Sequence, residues 1–493
     1  MKKQLLKGSV LVLMLALSVG AVAQIESKAK ASSTRLKTSV VSTSDVNSPS
    51  AIKVEKMAME LMKHPIVLEA KKQGLKSYKE GELATKPDGI RYAQSAIDEA
   101  VALACTYVAM GVSPEPTFLW LYAAPHKWNG YTFPGTRWYA DNVDTYYRGL
   151  RVDDRSTYEI TMRLGKKRAT QISFMLWDWM MFERGISDNS DIPMASFVVD
   201  ENTKYNADGS ITLTVGPEPA NGRSNYMQSK PGATQIYIRE IRGDGSVPVI
   251  RLSVKRIKGE APVMKSMDDL AKEAAVLIAS GVKATHMITT TFGALSENQI
   301  SPIRIRWKAI PGAEKNKMST DEIIDSKRAV GFIGSGLFNL KEDEALVMTL
   351  NMLGTEYLSL NTYRPFLVSP EHVYGSSSLN NFQAKPNSDG SYTLVVARKD
   401  PGVYNWVDVQ GIPYGYFAIR WQSLTKPVSA TLANAVQVVK VVKLSDLRKE
   451  LPAETKWVTA KERTLQRENR AKNYKLRCLG TPCEVGGELD KMY

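Results

Sequence analysis

Asp208-Gly-Ser-Ile-Thr-Leu-Thr-Val215 and Asp389-Gly-Ser-Tyr-Thr-Leu-Val-Val396 are one pattern written twice in the same chain. In each, an Asp-Gly turn feeds a strand of period-two alternation: Ile211, Leu213 and Val215 in the first, Tyr392, Leu394 and Val396 in the second. Working outward, Asn225-Tyr226 corresponds to Asn405-Trp406. A following strand carries Ile236, Ile238 and Arg239 in one half and Phe417, Ile419 and Arg420 in the other. Upstream, Ile160, Met162 and Leu164 lead through Gly165 to Ile172, Phe174 and Leu176. Leu346, Met348 and Leu350 lead through Gly354 to Leu358 and Leu360, and both pairs read as hairpins. Further upstream, Ser95-x-x-Asp98 and Ser266-x-x-Asp269 each open an apolar-striped helix, closed by Gly111 and Gly281 respectively. With an offset of about 170 to 180 residues throughout, these matches point to an internal duplication. Short half-buried strands with one leading helix per copy predict a mainly β fold with peripheral helices, α+β, built from tandem duplicated antiparallel β-sandwich or jelly-roll-like domains. Gly331, Gly334 and Gly336 lack the context of a phosphate loop.

The 493 residues are 43% hydrophobic and 24% charged, an ordinary globular balance that excludes collagen-like, disordered and polytopic membrane classes. Lys2, Lys3 and Lys7 precede an apolar run from Val10 to Val19, and Ala21-Val-Ala23 supplies a small-residue cleavage pattern, so residues 1–23 read as a signal peptide. The run is too short to cross a hydrocarbon core of roughly 30 Å, and the expectation is a periplasmic or secreted protein with no transmembrane anchor. Residues 24–50 read as a flexible leader, 51–255 as N-terminal helices and the first sandwich, and 256–428 as a helix and the second sandwich. Residues 429–493 read as a strand and a basic helical tail. Pro65 marks a break or kink in the first helical segment. In the tail, Val436–Leu444 is predicted as a strand and Ser445–Leu451 as a short helix, followed by a helix packed through Trp457 and Leu465.

The formal charge of +14 has its densest run from Lys456 to Arg477, which reads as a solvated basic helix rather than a nucleic-acid surface. Of the three cysteines, Cys105 lies in an apolar stripe as a core thiol, whereas Cys478 and Cys483 frame four residues and are predicted to pair in an oxidising compartment. No metal site and no cofactor is expected.

Ala140-Asp-Asn-Val-Asp144-Thr-Tyr146-Tyr-Arg-Gly-Leu-Arg-Val-Asp-Asp154 resembles a Gly-Asp-Asn-Pro-Asp-x-x-Tyr segment of bacterial proteins of unknown function, with Ala140 and Val143 in place of Gly and Pro. The second half carries Gly336-Leu-Phe, Glu344-Ala-Leu-Val, Ser378-Leu-Asn, Asp400-Pro-Gly-Val-Tyr-Asn405-Trp406-Val-Asp408 and Arg420-Trp421. It resembles the domain-of-unknown-function family 1214, which often travels with family 1254. The resemblance implies exported tandem β-sandwich proteins and carries no settled activity.

Asp141, Asn142, Asp144, Tyr146 and Arg148 place acid, amide, phenol and guanidinium in one loop, the donor set for a sugar or cation; the alternative is a capped turn with Arg148 paired to a carboxylate. Asn405, Trp406, Asp408 and Arg420 fit carbohydrate recognition, in which a flat ring covers a sugar face, although Asn405 and Arg420 recur in the first copy as Asn225 and Arg239 and so equally fit fold support. Trp177-Asp178-Trp179 and Tyr363-Arg364 follow returning strands, as an aromatic rim for a ligand or as a seal between domains. His372 and Tyr374 are candidates for an acid–base pair, His372 equally for a hydrogen-bonded histidine of no catalytic part. The leading expectation is therefore a carbohydrate-like or amphiphilic (glycan or lipid-like) ligand held in a cleft of the duplicated domains, with no catalytic motif in view. The alternatives are an envelope lyase or hydrolase on an acidic polymer, using His372, Tyr374, Asp408 and Arg420, and a structural subunit that forms a homo-oligomer.

Overall fold

The computed structural model describes residues 44–178, 193–296, 306–311, 323–324, 329–424, 428–429 and 432–492. The expected signal peptide, most of the expected leader and Trp179 lie outside the described residues.

Four long helices flank the sheets: α1 (Pro49–Met62), α2 (Pro65–Glu80), α3 (Gly89–Met110) and α4 (Met267–Ser296). Pro65 starts α2 rather than kinking a longer helix, because a proline at the first position gives up only an N–H that has no partner there. The end of the expected leader is built in: Ser48 caps α1 by accepting from Ala51 N, and Asp45 and Ser44 are buried. Two expected helix signals are corrected. Ser95 does not open α3, which starts six residues earlier at Gly89; its hydroxyl donates to the Tyr92 carbonyl within the helix. Gly89 is required because a Cβ there would lie 1.9 Å from the Leu83 carbonyl oxygen. Gly281 does not close α4, which runs on for fifteen residues to Ser296; a Cβ at 281 would strike the Trp138 ring at 2.1 Å, so close packing selects the glycine. Ser266 does cap α4, accepting from Asp269 N.

Nine strands form the first copy: β1 (Leu119–Leu121), β2 (Thr145–Arg151), β3 (Thr157–Arg163), β4 (Gln171–Trp177), β5 (Ala195–Val198), β6 (Ile211–Gly216), β7 (Tyr226–Gln228), β8 (Gln235–Ile241) and β9 (Arg251–Lys258). Nine more form the second: β10 (Arg306–Pro311), β11 (Ala329–Asn339), β12 (Glu344–Leu350), β13 (Thr355–Tyr363), β14 (Ser378–Asn380), β15 (Tyr392–Ala397), β16 (Trp406–Asp408), β17 (Tyr414–Leu424) and β18 (Val436–Lys443). The first copy has sheets ordered β1-β2-β8-β4-β5 and β9-β3-β6-β7. The second has β10-β11-β17-β13-β14 and β18-β12-β15-β16. Strand n of the first copy thus takes the place of strand n+9 of the second, including the parallel pairs β6–β7 and β15–β16 within otherwise antiparallel sheets.

The two expected hairpins are sheet-to-sheet crossovers. β3 pairs with β9 and β6 whereas β4 pairs with β8 and β5, and β12 and β13 likewise belong to different sheets. Alternation cannot separate the cases, since in a hairpin and in an arch the apolar faces of both strands meet the same core. Ile160, Met162, Ile172, Phe174, Ile211, Leu213, Ile236 and Ile238, from both sheets, form one buried cluster in the first copy. Burying each such side chain contributes roughly 1.5–3 kcal/mol. Arg148 enters this cluster and is neutralised there by Glu240 at 2.8 Å and Asp45 at 3.5 Å, the carboxylate pairing weighed above.

After β18 come a short helix (Leu447–Glu450) and α5 (Ala460–Tyr474), which Thr459 and Glu462 open with a reciprocal capping box. The expected packing holds for Trp457, which lies against the cluster around Val403 and Leu447, and is corrected for Leu465, which is exposed while Arg463, Ala471 and Tyr474 face the body. The Cys478–Cys483 disulfide then turns the chain so that Cys483–Val485 pairs with His126–Trp128. Cys105 is a buried thiol, pushed up to about 12 by burial.

Candidate functional site

Two cavities share one wall, made by the loop Glu371–Ser377 and by β16. The Glu371 carboxylate shapes the loop by accepting from the backbone N–H groups of Val373, Tyr374 and Gly375. Asp408 N ties β16 to the loop through the Ser376 carbonyl at 2.8 Å. Asp408 opens to one side of this wall and Trp406 to the other.

The wider cavity is a cleft of about 1030 Å³. α3 contributes Arg91 and Tyr92 to it, Arg364 enters just past the end of β13, the shared wall contributes Tyr374, Asp408 and Gln410, and α5 contributes Arg467. Residues Glu484–Lys491 form the remaining side. At its base Arg137 meets Glu99 and Asp490, and Arg364 reaches Asp490 at 3.5 Å while lying over the Tyr92 ring at 5.4 Å. Burial pushes the Asp408 carboxyl up to about 6, opposed by the Gln410 N–H at 2.7 Å and by Arg467 at 3.9 Å. Tyr374 presents an exposed ring.

The second cavity, about 220 Å³, lies beneath α5. His372, Asp144 and Trp406 line it together with Arg242, Arg470 and Arg477. The His372 Nδ1 meets the Pro370 carbonyl, and burial, reinforced by Arg137 and Arg477, holds its imidazole well below the ordinary histidine range.

Of the residues singled out in the sequence, Arg364, Tyr374 and Asp408 meet in the wide cleft, and Asp144, His372 and Trp406 line the second cavity. The expected acid–base pair of His372 and Tyr374 is therefore divided between two spaces. Arg420 lines neither: it is buried, donating to Asn361, to the Tyr363 hydroxyl at 2.8 Å and to the Ala140 carbonyl at 2.9 Å. The four-residue lyase set accordingly does not converge. The expected exposed tryptophan is also corrected, since Trp406 is 3% exposed with its Nε1 donating to the Ala397 carbonyl. Asn405 holds the backbone of Lys385 on both sides, accepting at 2.8 Å and donating at 2.8 Å. Trp177 and Tyr363 are buried rather than rim residues.

Asp141 and Asn142 join the two halves rather than form an open loop. Ser369 Oγ donates to the Asp141 carboxyl, which burial pushes up to about 7, and the Tyr357 hydroxyl donates to Asn142 Oδ1 at 3.0 Å and to Asp144 Oδ2 at 2.8 Å. The Tyr146 hydroxyl donates to the Arg477 carbonyl. Sequence reasoning missed Arg91, Tyr92, Gln410 and Asp490, which no motif marks. For Arg463, Arg470 and Arg477 a signal existed: their seven-residue spacing keeps one helix face.

The family model described as "Protein of unknown function (DUF1214)" matches residues 142–242. No curated protein matches the chain. Among solved structures, an uncharacterised protein from Burkholderia cenocepacia is similar, with a TM-score of 0.58 at 18% identity, over 79% of this chain and 100% of that one. That likeness shows the fold. The VPA0106 protein from Vibrio parahaemolyticus aligns with a TM-score of 0.34 at 11% identity, over 62% of this chain and 90% of that one. No described helix is long and apolar enough to cross a membrane. The stretch from Asn142 to Arg242 thus matches the model of the family named by the resemblance, and it lies in the first copy rather than in the second, where the Asp400–Asp408 motif stands.

Proposed function

We propose that the protein is exported and binds an acidic, carbohydrate-like ligand in the wide cleft. One observation carries the reading: a single cleft of about 1030 Å³ brings an exposed tyrosine ring, Tyr374, together with Arg91 and Arg467 and with the hydrogen-bonding groups of Gln410 and Asp408. A flat ring serves the apolar face of a sugar, guanidinium forks serve its carboxylate, and amide and carboxyl groups serve its hydroxyls. The N-terminal Lys-rich and apolar run and the Cys478–Cys483 disulfide support export. Titration calorimetry against oligomers of uronic acids and their neutral counterparts tests this. Binding of the acidic oligomers should weaken about tenfold in Tyr374→Ala, the loss of roughly 1.4 kcal/mol, and more in Arg91→Ala combined with Arg467→Ala. Equal affinity for neutral and acidic oligomers, or no binding of either, would overturn it.

A second reading rests on Asp408. A carboxyl held near 6 in a cleft wall is suited to giving and taking a proton near neutral pH, which supports cleavage of the same ligand. Release of new oligosaccharide ends that Asp408→Asn abolishes, while binding persists, is the expected result under this reading.

A further inference from the structure

The second cavity has a charge arrangement of its own. Arg242, Arg470 and Arg477 line it, and among the described residues none of the three has a carboxylate within 4.0 Å, the ion-pair distance. Their hydrogen bonds go to neutral acceptors. Arg242 donates to the Val247 carbonyl at 3.2 Å and the Asn473 carbonyl at 3.4 Å. Arg470 donates to Ser378 O at 3.0 Å and Gln383 Oε1 at 3.1 Å, and Arg477 to the Val143 carbonyl at 2.7 Å. The Nε groups of Arg470 and Arg477 are buried and meet no acceptor among the described residues. Two carboxylates line the same space. Asp144 is buried, and its Oδ2 already accepts from Tyr357 and Asn380; Asp244 lies at the edge and accepts from Ser246. Three guanidinium groups thus share a low-dielectric space with two carboxylates, neither in ion-pair contact with them, and carbonyl dipoles offset only part of the cost of burying the excess positive charge.

We propose that this cavity is a binding site for a compact tetrahedral oxyanion, a phosphate or sulfate group. The cavity of about 220 Å³ admits a small group of this kind. Donors from β8's end (Arg242) and from two turns of α5 and its extension (Arg470, Arg477) approach it from different elements, as several oxygens of a tetrahedral anion require. The site is separate from the wide cleft and does not depend on the reading of that cleft.

The test is thermal unfolding of the full mature chain at constant ionic strength. Sodium chloride is replaced in part by inorganic phosphate, by sulfate or by glycerol phosphate, with calorimetric titration of each. Phosphate or sulfate should raise the midpoint by several degrees beyond chloride. The gain should disappear in Arg470→Gln, whose midpoint in chloride alone should not fall in parallel. Asp244→Asn, at the edge of the cavity, should tighten binding severalfold and gives an independent reading if Arg470→Gln does not fold. Tighter binding of glycerol phosphate than of phosphate would identify a monoester as the ligand, and the reverse order the inorganic ion; either supports the site. Equal midpoints in all salts, or a gain unchanged by both substitutions, would overturn it.

Discussion

The two copies share a strand order and one set of turn hydrogen bonds, and they part where the C-terminal helix lands. Asn225 brackets the backbone of Lys204 as Asn405 brackets Lys385. Asn206 reaches Ser210 and Thr212 as Asn387 reaches Ser391 and Thr393, and Asp208 and Asp389 each accept from the serine two residues on. These asparagines and aspartates, kept in both copies, therefore hold turns. The residue after each asparagine differs in its surroundings. Tyr226 is half-buried and is covered by its neighbour Arg223 at 3.9 Å, whereas Trp406 is buried beneath Arg463 of α5 at 5.0 Å. The same cation-over-ring contact is made locally in one copy and by a distant helix in the other. Both cavities lie on the second of these ends, so ligand chemistry is expected where the copies have diverged.

Trp406→Ala should break the comparison most strongly. Removing this buried indole should cost about 3–5 kcal/mol in urea denaturation, against about 1 kcal/mol for Tyr226→Ala. Equal losses would mean that the cover of α5 adds nothing to the second copy.

The junction between the copies gives a pH-dependent test. The Asp141 carboxyl is pushed up by burial to about 7 in the folded chain, so between the ordinary carboxylate range and 7 the folded state holds a proton that the unfolded state has released. Stability from this group is therefore present at low pH and lost as pH rises through 7, by on the order of 4 kcal/mol at most. Comparing wild type with Asp141→Asn in denaturant at pH 4.5 and 8 isolates it: the wild type should lose stability relative to the variant as pH rises. Burial holds His126 down at about 4, which gives the opposite slope, and that slope is common to both proteins.

The smallest effect sharpens the likeness. Asn225→Ala and Asn405→Ala should each cost about 1–3 kcal/mol, with the more buried Asn405 at the upper end, as measured by the same denaturation. A negligible cost at either position would show that the shared asparagine is not the turn's support in that copy.

Asp208-Gly209 and Asp389-Gly390 made the repeated sandwich legible because an Asp-Gly turn and an alternating strand are local properties. Which sheet a strand joins is not local, and so β3–β4 and β12–β13 read as hairpins. Gly281 read as a helix stop because the Trp138 ring that requires it lies more than a hundred residues away. At the candidate sites, Asp408 and Tyr374 were visible by residue type. The inward turn of Arg470 and Arg477 was hidden by the habit of assigning charged helices to solvent, and Asp45 and Asp490, as partners of buried arginines, have no sequence signature at all.

Asp490 has a practical consequence. Arg364 has no other carboxylate within ion-pair distance among the described residues, so Asp490→Asn, or a proteolytic cut between Gly487 and Asp490, would remove its counter-ion and expose that guanidinium to carboxylates from the medium. Preparations differing only in whether the Gly487–Asp490 segment is intact should then behave as different proteins towards acidic solutes.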